Sequence, residues 1–221
     1  MPIYIGLEAH DGTGKSTNSG SLLELFNGQG IERTKAMREK EKDVFSRRDK
    51  EGLPLQAVGE EIDQAWRDET ISIKKETAEQ KSNWLVILDR TWISHAAEQL
   101  IQSREQNVQF EHELEGGEIA YPEGVLQPSL TFELFISEER RDKQVTNRDE
   151  ELSERDIRLR DDSLYREDLE QIRKKLGCVR LSLRERDKGV AALRAAQVLL
   201  GHPSIPPLGL KPGVLDFDSN P

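Results

Sequence analysis

Apolar positions along the chain fall into five short runs separated by longer stretches with helical spacing. Ile3-Tyr4-Ile5-Gly6-Leu7 and Trp84-Leu85-Val86-Ile87-Leu88 are continuous apolar runs, the pattern of strands covered on both faces. Leu130-Thr131-Phe132-Glu133-Leu134-Phe135-Ile136, introduced by Pro128, predicts a third strand, and Val179-Arg180-Leu181-Ser182-Leu183 a last one. Ile31 to Met37 predicts a further strand whose charged positions, Glu32, Arg33 and Lys35, place it at a sheet edge. Between these runs, apolar residues recur with a period near 3.6. They are Leu22, Leu23, Leu25 and Phe26, then Val58, Ile62, Ala65, Trp66, Ile71 and Ile73, and then the segments Thr91 to Gln102 and Gly189 to Leu200. Strands alternating with helices predict an α/β fold, a five-stranded parallel sheet with helices on both faces.

The intervening polar segments sharpen this picture. Arg38 to Glu51 is dense in both signs, the composition of a solvated helix face laced with i,i+4 pairs. Residues 103–127 read as a polar connector punctuated by Gly116-Gly117, Pro122 and Gly124. From Glu138 to about Arg173 the chain is highly charged and helical in pattern, with an interruption near Asp149 to Ser153. The Pro-rich segment from Gly201 onward lacks periodicity, so the expected organisation is one domain over 1–200 and a tail over 201–221.

Composition limits the function classes. Of 221 residues, 35% are hydrophobic and 33% charged, with mean hydropathy −0.70, so the core is lean and the outer faces are polar. A net charge of −10 argues against nucleic acid or an anionic membrane as the main partner. The single Cys178 rules out an internal disulfide and a cysteine metal cluster, and its apolar neighbours suggest a small buried core residue. Neither a leader pattern nor an apolar run of membrane-spanning length is found, which leads to the expectation of a cytoplasmic protein.

The chemistry is concentrated where the first strand meets the first helix, at Leu7-Glu8-Ala9-His10-Asp11-Gly12-Thr13-Gly14-Lys15-Ser16-Thr17. A strand, a Gly-rich turn ending in Lys-Ser and a helix make a phosphate-binding loop. Backbone N–H groups converge on the phosphates, the helix N-terminus adds positive potential, and Lys15 adds a full charge. Ser16 is placed to offer its hydroxyl to a magnesium ion shared with the nucleotide. The first slot carries Ala9 instead of Gly, costing about 1 kcal/mol or more if a positive φ is needed there and little otherwise. Asp89 ends the Trp84 to Leu88 strand, where an acid either holds water on that magnesium or caps the following helix.

Three segments together resemble the thymidylate kinase family of nucleoside monophosphate kinases. The loop is similar to Phe-Glu-Gly-x-Asp-Gly-x-Gly-Lys-Ser-Thr, and Asp89-Arg90-Thr91-Trp92-Ile93-Ser94-His95-Ala96-Ala97-Glu98-Gln99 resembles Asp-Arg-Tyr-x-x-Ser-x-x-Ala-Tyr-Gln. Pro128-Ser129-Leu130-Thr131-Phe132-Glu133-Leu134 resembles Pro-Asp-Leu-Thr-Phe-x-Leu and precedes a charged segment in lid position, about 138–162. The resemblance implies a P-loop fold with a helical lid, using ATP and Mg2+ to phosphorylate a (deoxy)nucleoside 5′-monophosphate, dTMP first. It implies that Asp11, Gly12, Thr13, Gly14, Lys15, Ser16 and Thr17 bind ATP, with Asp11 near the transferring group and Ser16 and Asp89 at the metal. Arg90 would clamp the acceptor phosphate, with Ser94 and Gln99 near the acceptor nucleoside. Arg38, from an Arg-Glu pair resembling the family's Thr-Arg-Glu, and Arg67 are further acceptor-side positions. Gly12 and Thr13 leave the loop without an arginine, so the lid supplies it, from Arg140, Arg141, Arg155 or, first, Arg148. A homodimer is also implied.

The acceptor half departs from the family more than the ATP half does: Thr91 stands for Tyr, Glu98 for Tyr, and Lys40-Glu41-Lys42 for Pro-Gly-Gly. A kinase for an unphosphorylated nucleoside or other small metabolite, and a nucleotide-binding protein without turnover, therefore stay open alongside the monophosphate kinase.

Overall fold

The computed structural model describes residues 2–9, 15–25, 30–33, 35–53, 55–79, 85–115, 117–135, 137, 157–158, 161–182, 195, 198 and 201. Five strands form one parallel sheet: β1 (Ile3–Ala9), β2 (Gly30–Arg33), β3 (Leu85–Asp89), β4 (Leu130–Phe135) and β5 (Val179–Ser182), in the order β2-β3-β1-β4-β5. Helices α1 (Lys15–Leu25), α2 (Lys35–Glu51), α3 (Leu55–Thr77), α4 (Trp92–Glu105) and α5 (Ser163–Lys175) lie between them in the chain. The charged second strand is at an edge, as its composition predicts, but it ends at Arg33. Lys35 to Met37 belong to α2 instead, where Met37 is buried among helices. Lys, Ala and Met are strong helix formers and this stretch has no period-2 alternation to hold it in a strand.

Because successive side chains alternate faces, the register sorts the sheet into two unlike surfaces. Ile3, Ile5, Leu7, Leu85, Ile87, Leu130, Phe132 and Leu134 line one face, closed by Leu22 of α1 and by Ala195. The opposite face carries Tyr4, Gly6, Glu8, Val86, Leu88, Thr131 and Glu133 beneath α3, α4 and α5. Here polar groups are interleaved with apolar ones. The Tyr4 hydroxyl is 3.0 Å from Thr77 Oγ1, and Glu133 receives Arg173 of α5 at 3.1 Å. Helix-on-helix packing of Val58, Ile62 and Trp66 with Trp92, Ala96, Leu100, Leu169 and Ile172 completes a second core behind that face.

The stripe along α3 runs Val58, Ile62, Trp66, Thr70, Ile73 and Thr77, all buried. Ile71, also expected to face inward, is 64% exposed because it lies one residue, about 100° of helix, past that stripe. Thr91 caps α4, its side chain accepting from the Ile93 N–H at 3.2 Å, so Asp89 is not the cap. Residues 106–115 and 117–127 are irregular apart from an isolated antiparallel bridge between Glu113 and Ile119. In the charged stretch, Asp162 starts a new helix by accepting from the Tyr165 N–H at 3.0 Å, a break the sequence pattern does not place. Cys178 is half-buried and not fully buried, and burial, with the Glu8 charge second, pushes its thiol pKa up. Most of the lid segment 138–162, most of Gly189 to Leu200 and the tail beyond Gly201 lie outside the described residues.

Arg173 has no exposed surface, and Glu133 takes up the one hydrogen bond its guanidinium makes among the described residues. Burial pushes the Glu133 carboxyl above its usual range, with Arg173 only partly opposing it. Removing one member strands the other charge in the core. Glu133→Ala is expected to lower unfolding free energy by about 3 to 5 kcal/mol, and Glu133→Leu with Arg173→Met to recover most of that loss in urea titrations.

Candidate active site

In the strand order, β1 leads to β2 on one side while its neighbour β4 leads to β5 on the other, which makes the carboxyl edge between β1 and β4 a topological switch point, the place where open α/β sheets bind ligands. Ala9 is still strand here, paired with Leu134 and fully buried in the apolar face. Its φ is not among the positive ones, so a Cβ in the first slot of the phosphate loop costs little. Residues 10–14, including Asp11, Gly12, Thr13 and Gly14, lie outside the described residues. Lys15, Ser16 and Thr17 form the opening turn of α1, and their side chains are outside the described set. Asp89 pairs in register with Leu7, which puts its carboxylate on the α1 side of the sheet, the face toward which Ser16 begins its helix.

Arg90 follows with φ of 78°, a left-handed backbone that is uncommon for a residue with a Cβ and costs about 1 to 2 kcal/mol. Its N–H donates to the Leu7 carbonyl at 3.0 Å, and the side chain is buried. The neighbouring β1 residue, Glu8, has no exposed surface. Its carboxylate accepts from the Thr91 N–H at 2.6 Å, from Thr91 Oγ1 at 2.7 Å, and from the Ser94 hydroxyl. Ser94 Oγ in turn accepts from Arg90 Nη1 at 3.4 Å. Arg90 and Ser94, singled out by sequence, are therefore brought together, around an acid that sequence reasoning left without a role.

A second polar cluster occupies the seam between α3 and α4. Asp63 accepts from Trp92 Nε1 at 2.7 Å through one oxygen and meets His112 Nε2 at 2.5 Å through the other. The Trp92 ring stands edge-on to His112 and 4.9 Å from the Tyr121 ring, so residues 110–121 of the connector are pinned over the seam. Burial, with the Glu8 charge second, pushes the Tyr121 hydroxyl pKa up. His95, one turn beyond Trp92, is held at a pKa of about 4 by burial, against the opposing pull of Asp63. Gln99 is buried on this same side of α4, against Gly59, where a Cβ would come within 2.9 Å of its Nε2. That Nε2 has no hydrogen-bond partner among the described residues.

Ser94 and Gln99 therefore face different surroundings, being five residues apart on one helix. Arg67 lies one turn past Asp63, half-buried, its Nε donating to the Glu123 carbonyl at 3.0 Å. The structure does not join it to the Arg90 cluster through any described contact. Arg38 lies in α2 with its side chain outside the described set, and Arg140, Arg141, Arg148 and Arg155 lie outside the described residues. Glu8, Asp63 and His112 are the residues that sequence reasoning missed. An acid inside the run Ile3 to Ala9 is a usable signal for Glu8, because a buried carboxylate demands donors. Asp63, one residue past the apolar stripe of α3 yet buried, carries no such signal.

No protein-family model and no curated protein matches the sequence. Solved structures do match. The thymidylate kinase of Candida albicans superposes with a TM-score of 0.56 at 15% identity, covering 90% of this chain and 92% of that one. A deoxyadenosine kinase of M. mycoides, solved with dCMP and dCDP bound, gives 0.55 at 15% identity, covering 90% and 100%. The thymidylate kinase of Ehrlichia chaffeensis gives 0.50 at 17% identity, covering 90% and 98%. The chain has the P-loop kinase fold of these enzymes over nearly its whole length.

Two outcomes are expected from this geometry. A Cβ on Gly6 would lie 2.4 Å from Thr91 Cγ2, so Gly6→Ala is expected to destabilise by about 2 to 3 kcal/mol in urea unfolding. Thr91→Ser, which removes that methyl and keeps the hydroxyl, should restore at least half of the loss. His95 is neutral in the folded protein, whereas the unfolded chain takes up its proton below about pH 6.5. Its contribution is complete above that pH and is lost as pH falls toward 4, at up to about 1.4 kcal/mol per unit. Between pH 6.5 and 4.5 the parent should lose about 2 to 3 kcal/mol more stability than His95→Gln.

Proposed function

We propose that this protein transfers the γ-phosphoryl group of ATP to a (deoxy)nucleoside 5′-monophosphate, with dTMP the first acceptor to consider. The observation that carries the reading is a buried arginine, Arg90, held in a strained backbone at the carboxyl edge of the sheet, next to the phosphate loop. Phosphoryl transfer asks little covalent work of a protein; it needs in-line placement and positive charge on two mutually repelling anions. In this reading the amides of residues 11–17 and the Lys15 ammonium hold the donor phosphates, and Asp11 stands beside the transferring group. Arg90 holds the acceptor phosphate, for which a guanidinium fork is suited. Ser94 and Gln99 orient the acceptor nucleoside, and Gln99 Nε2, without a hydrogen-bond partner among the described residues, supports a base or sugar contact there. Arg38 and Arg67 complete the acceptor side, and the lid over 138–162 brings Arg148 to the charge that develops in transfer.

The donor set suits Mg2+: a carboxylate at the end of β3 on the α1 side, and a hydroxyl, Ser16, in the first turn of α1. Bound there, the ion neutralises phosphate charge, and the residues of this chain that would hold it are Ser16 directly and Asp89 directly or through water.

The deoxyadenosine kinase likeness supports a second reading, phosphorylation of an unphosphorylated nucleoside. The two readings separate on Arg90. A panel of ribo- and deoxynucleosides and their monophosphates, assayed with ATP and Mg2+, is expected to give turnover of at least one monophosphate. Arg90→Ala should lower kcat/KM for it about 100-fold, and Lys15→Ala should abolish transfer. Turnover of a nucleoside with Arg90→Ala nearly neutral would select the second reading; ATP binding with no transfer to any acceptor would reject both.

A further inference from the structure

We propose that Glu8 is the positioning residue for Arg90, fixing the junction between β3 and α4 so that the guanidinium is held toward the acceptor. The inference rests on the reading of Arg90 as the acceptor-phosphate clamp. Glu8 precedes residues 11–17, which are read as holding ATP, and its side chain projects from the sheet face opposite Asp89, away from the metal side of the site.

The backbone at Arg90 is pinned at both of its peptides by consecutive residues of β1. The Arg90 N–H is held by the Leu7 carbonyl, and the next N–H, that of Thr91, by the Glu8 carboxylate at 2.6 Å. A left-handed conformation at a residue with a Cβ persists only where its surroundings over-determine it, and these two bonds do so. The side chain is reached by a second route. Ser94 has one proton to donate and gives it to Glu8, which leaves its lone pairs facing Arg90 Nη1. The Glu8 carboxylate thus sets the direction of the hydroxyl against which Arg90 rests. Thr91, which stands where the resembled family has Tyr, supplies two of the three donors.

Three donors converging on one side chain require an acceptor-only group. Glutamine has one carbonyl oxygen, and its amide nitrogen donates, so Glu8→Gln keeps the shape but turns at least one donor against another. In a site with no exposed surface that conflict has no solvent remedy.

The test uses the full chain with Glu8→Gln, Arg90→Ala and the double variant. Binding of ATP is read by calorimetry, and kcat/KM is measured for dTMP or for whichever monophosphate the panel turns over fastest. Glu8→Gln is expected to lower kcat/KM for the monophosphate at least tenfold, shift the ATP Kd less than threefold, and cost less than twofold more in the Arg90→Ala background. A loss that adds in full to that of Arg90→Ala, or that falls equally on ATP, overturns the proposal. If Arg90→Ala alone leaves monophosphate turnover unchanged, it is the clamp reading that fails. The positioning itself is then read without nucleotide, from the Arg90 Nε–H resonance of 15N-labelled protein. The resonance should be resolved in the parent and broadened in both Glu8→Gln and Ser94→Ala, the latter leaving the Thr91 bonds in place. An unchanged Arg90 resonance in both variants overturns the assignment of Glu8.

Discussion

A carboxylate with no exposed surface must find its hydrogen bonds within the protein, and at Glu8 all three come from one turn of chain, Thr91 to Ser94. That demand ties the centre of the sheet to the start of α4. It fixes the direction in which the helix leaves β3, and it makes Gly6, two residues upstream on the same face, a position without room for a side chain, because Thr91 lies against it. Arg90 lies inside this tie and takes the backbone conformation the tie leaves to it. The candidate site therefore depends on a buried acid of β1.

The two faces of the sheet divide the work. The face under α1 is apolar almost throughout and packs against Leu22 of that helix. The opposite face carries a charged layer in which Glu8 and Glu133 sit side by side in register, one satisfied by the β3–α4 junction and the other by Arg173 of α5. The second face is closed in part by hydrogen bonds and an ion pair. Such a layer is sensitive to the loss of any one member and holds its helices in one orientation.

The seam between α3 and α4 follows the same logic. Asp63 divides its two oxygens between the Trp92 indole and His112, and so fastens the irregular connector to the helices. The seam is thus held together by residues from three separate parts of the chain, α3, α4 and the connector.

Separation along the chain explains what could be read from sequence. Local pattern was legible: the apolar runs of β1, β3 and β4, the helix beginning at Lys15, Asp89-Arg90 at a strand end, and the charged edge strand all report interactions between near neighbours, for which spacing alone is informative. The helical fate of Lys35 to Met37, the exposure of Ile71 and the cap at Thr91 are local as well, following from helix propensity, helix periodicity and a bond between residues two apart. The sequence by itself determined an α/β sheet with the Ile3–Ala9 strand leading into the helix that begins at Lys15. Only the tertiary structure decided that Glu8 lies under Thr91 and Ser94, that Asp63 meets Trp92 and His112, and that Glu133 finds Arg173. These partners are 29 to 86 residues apart, and a buried charge announces that it needs a partner without saying which.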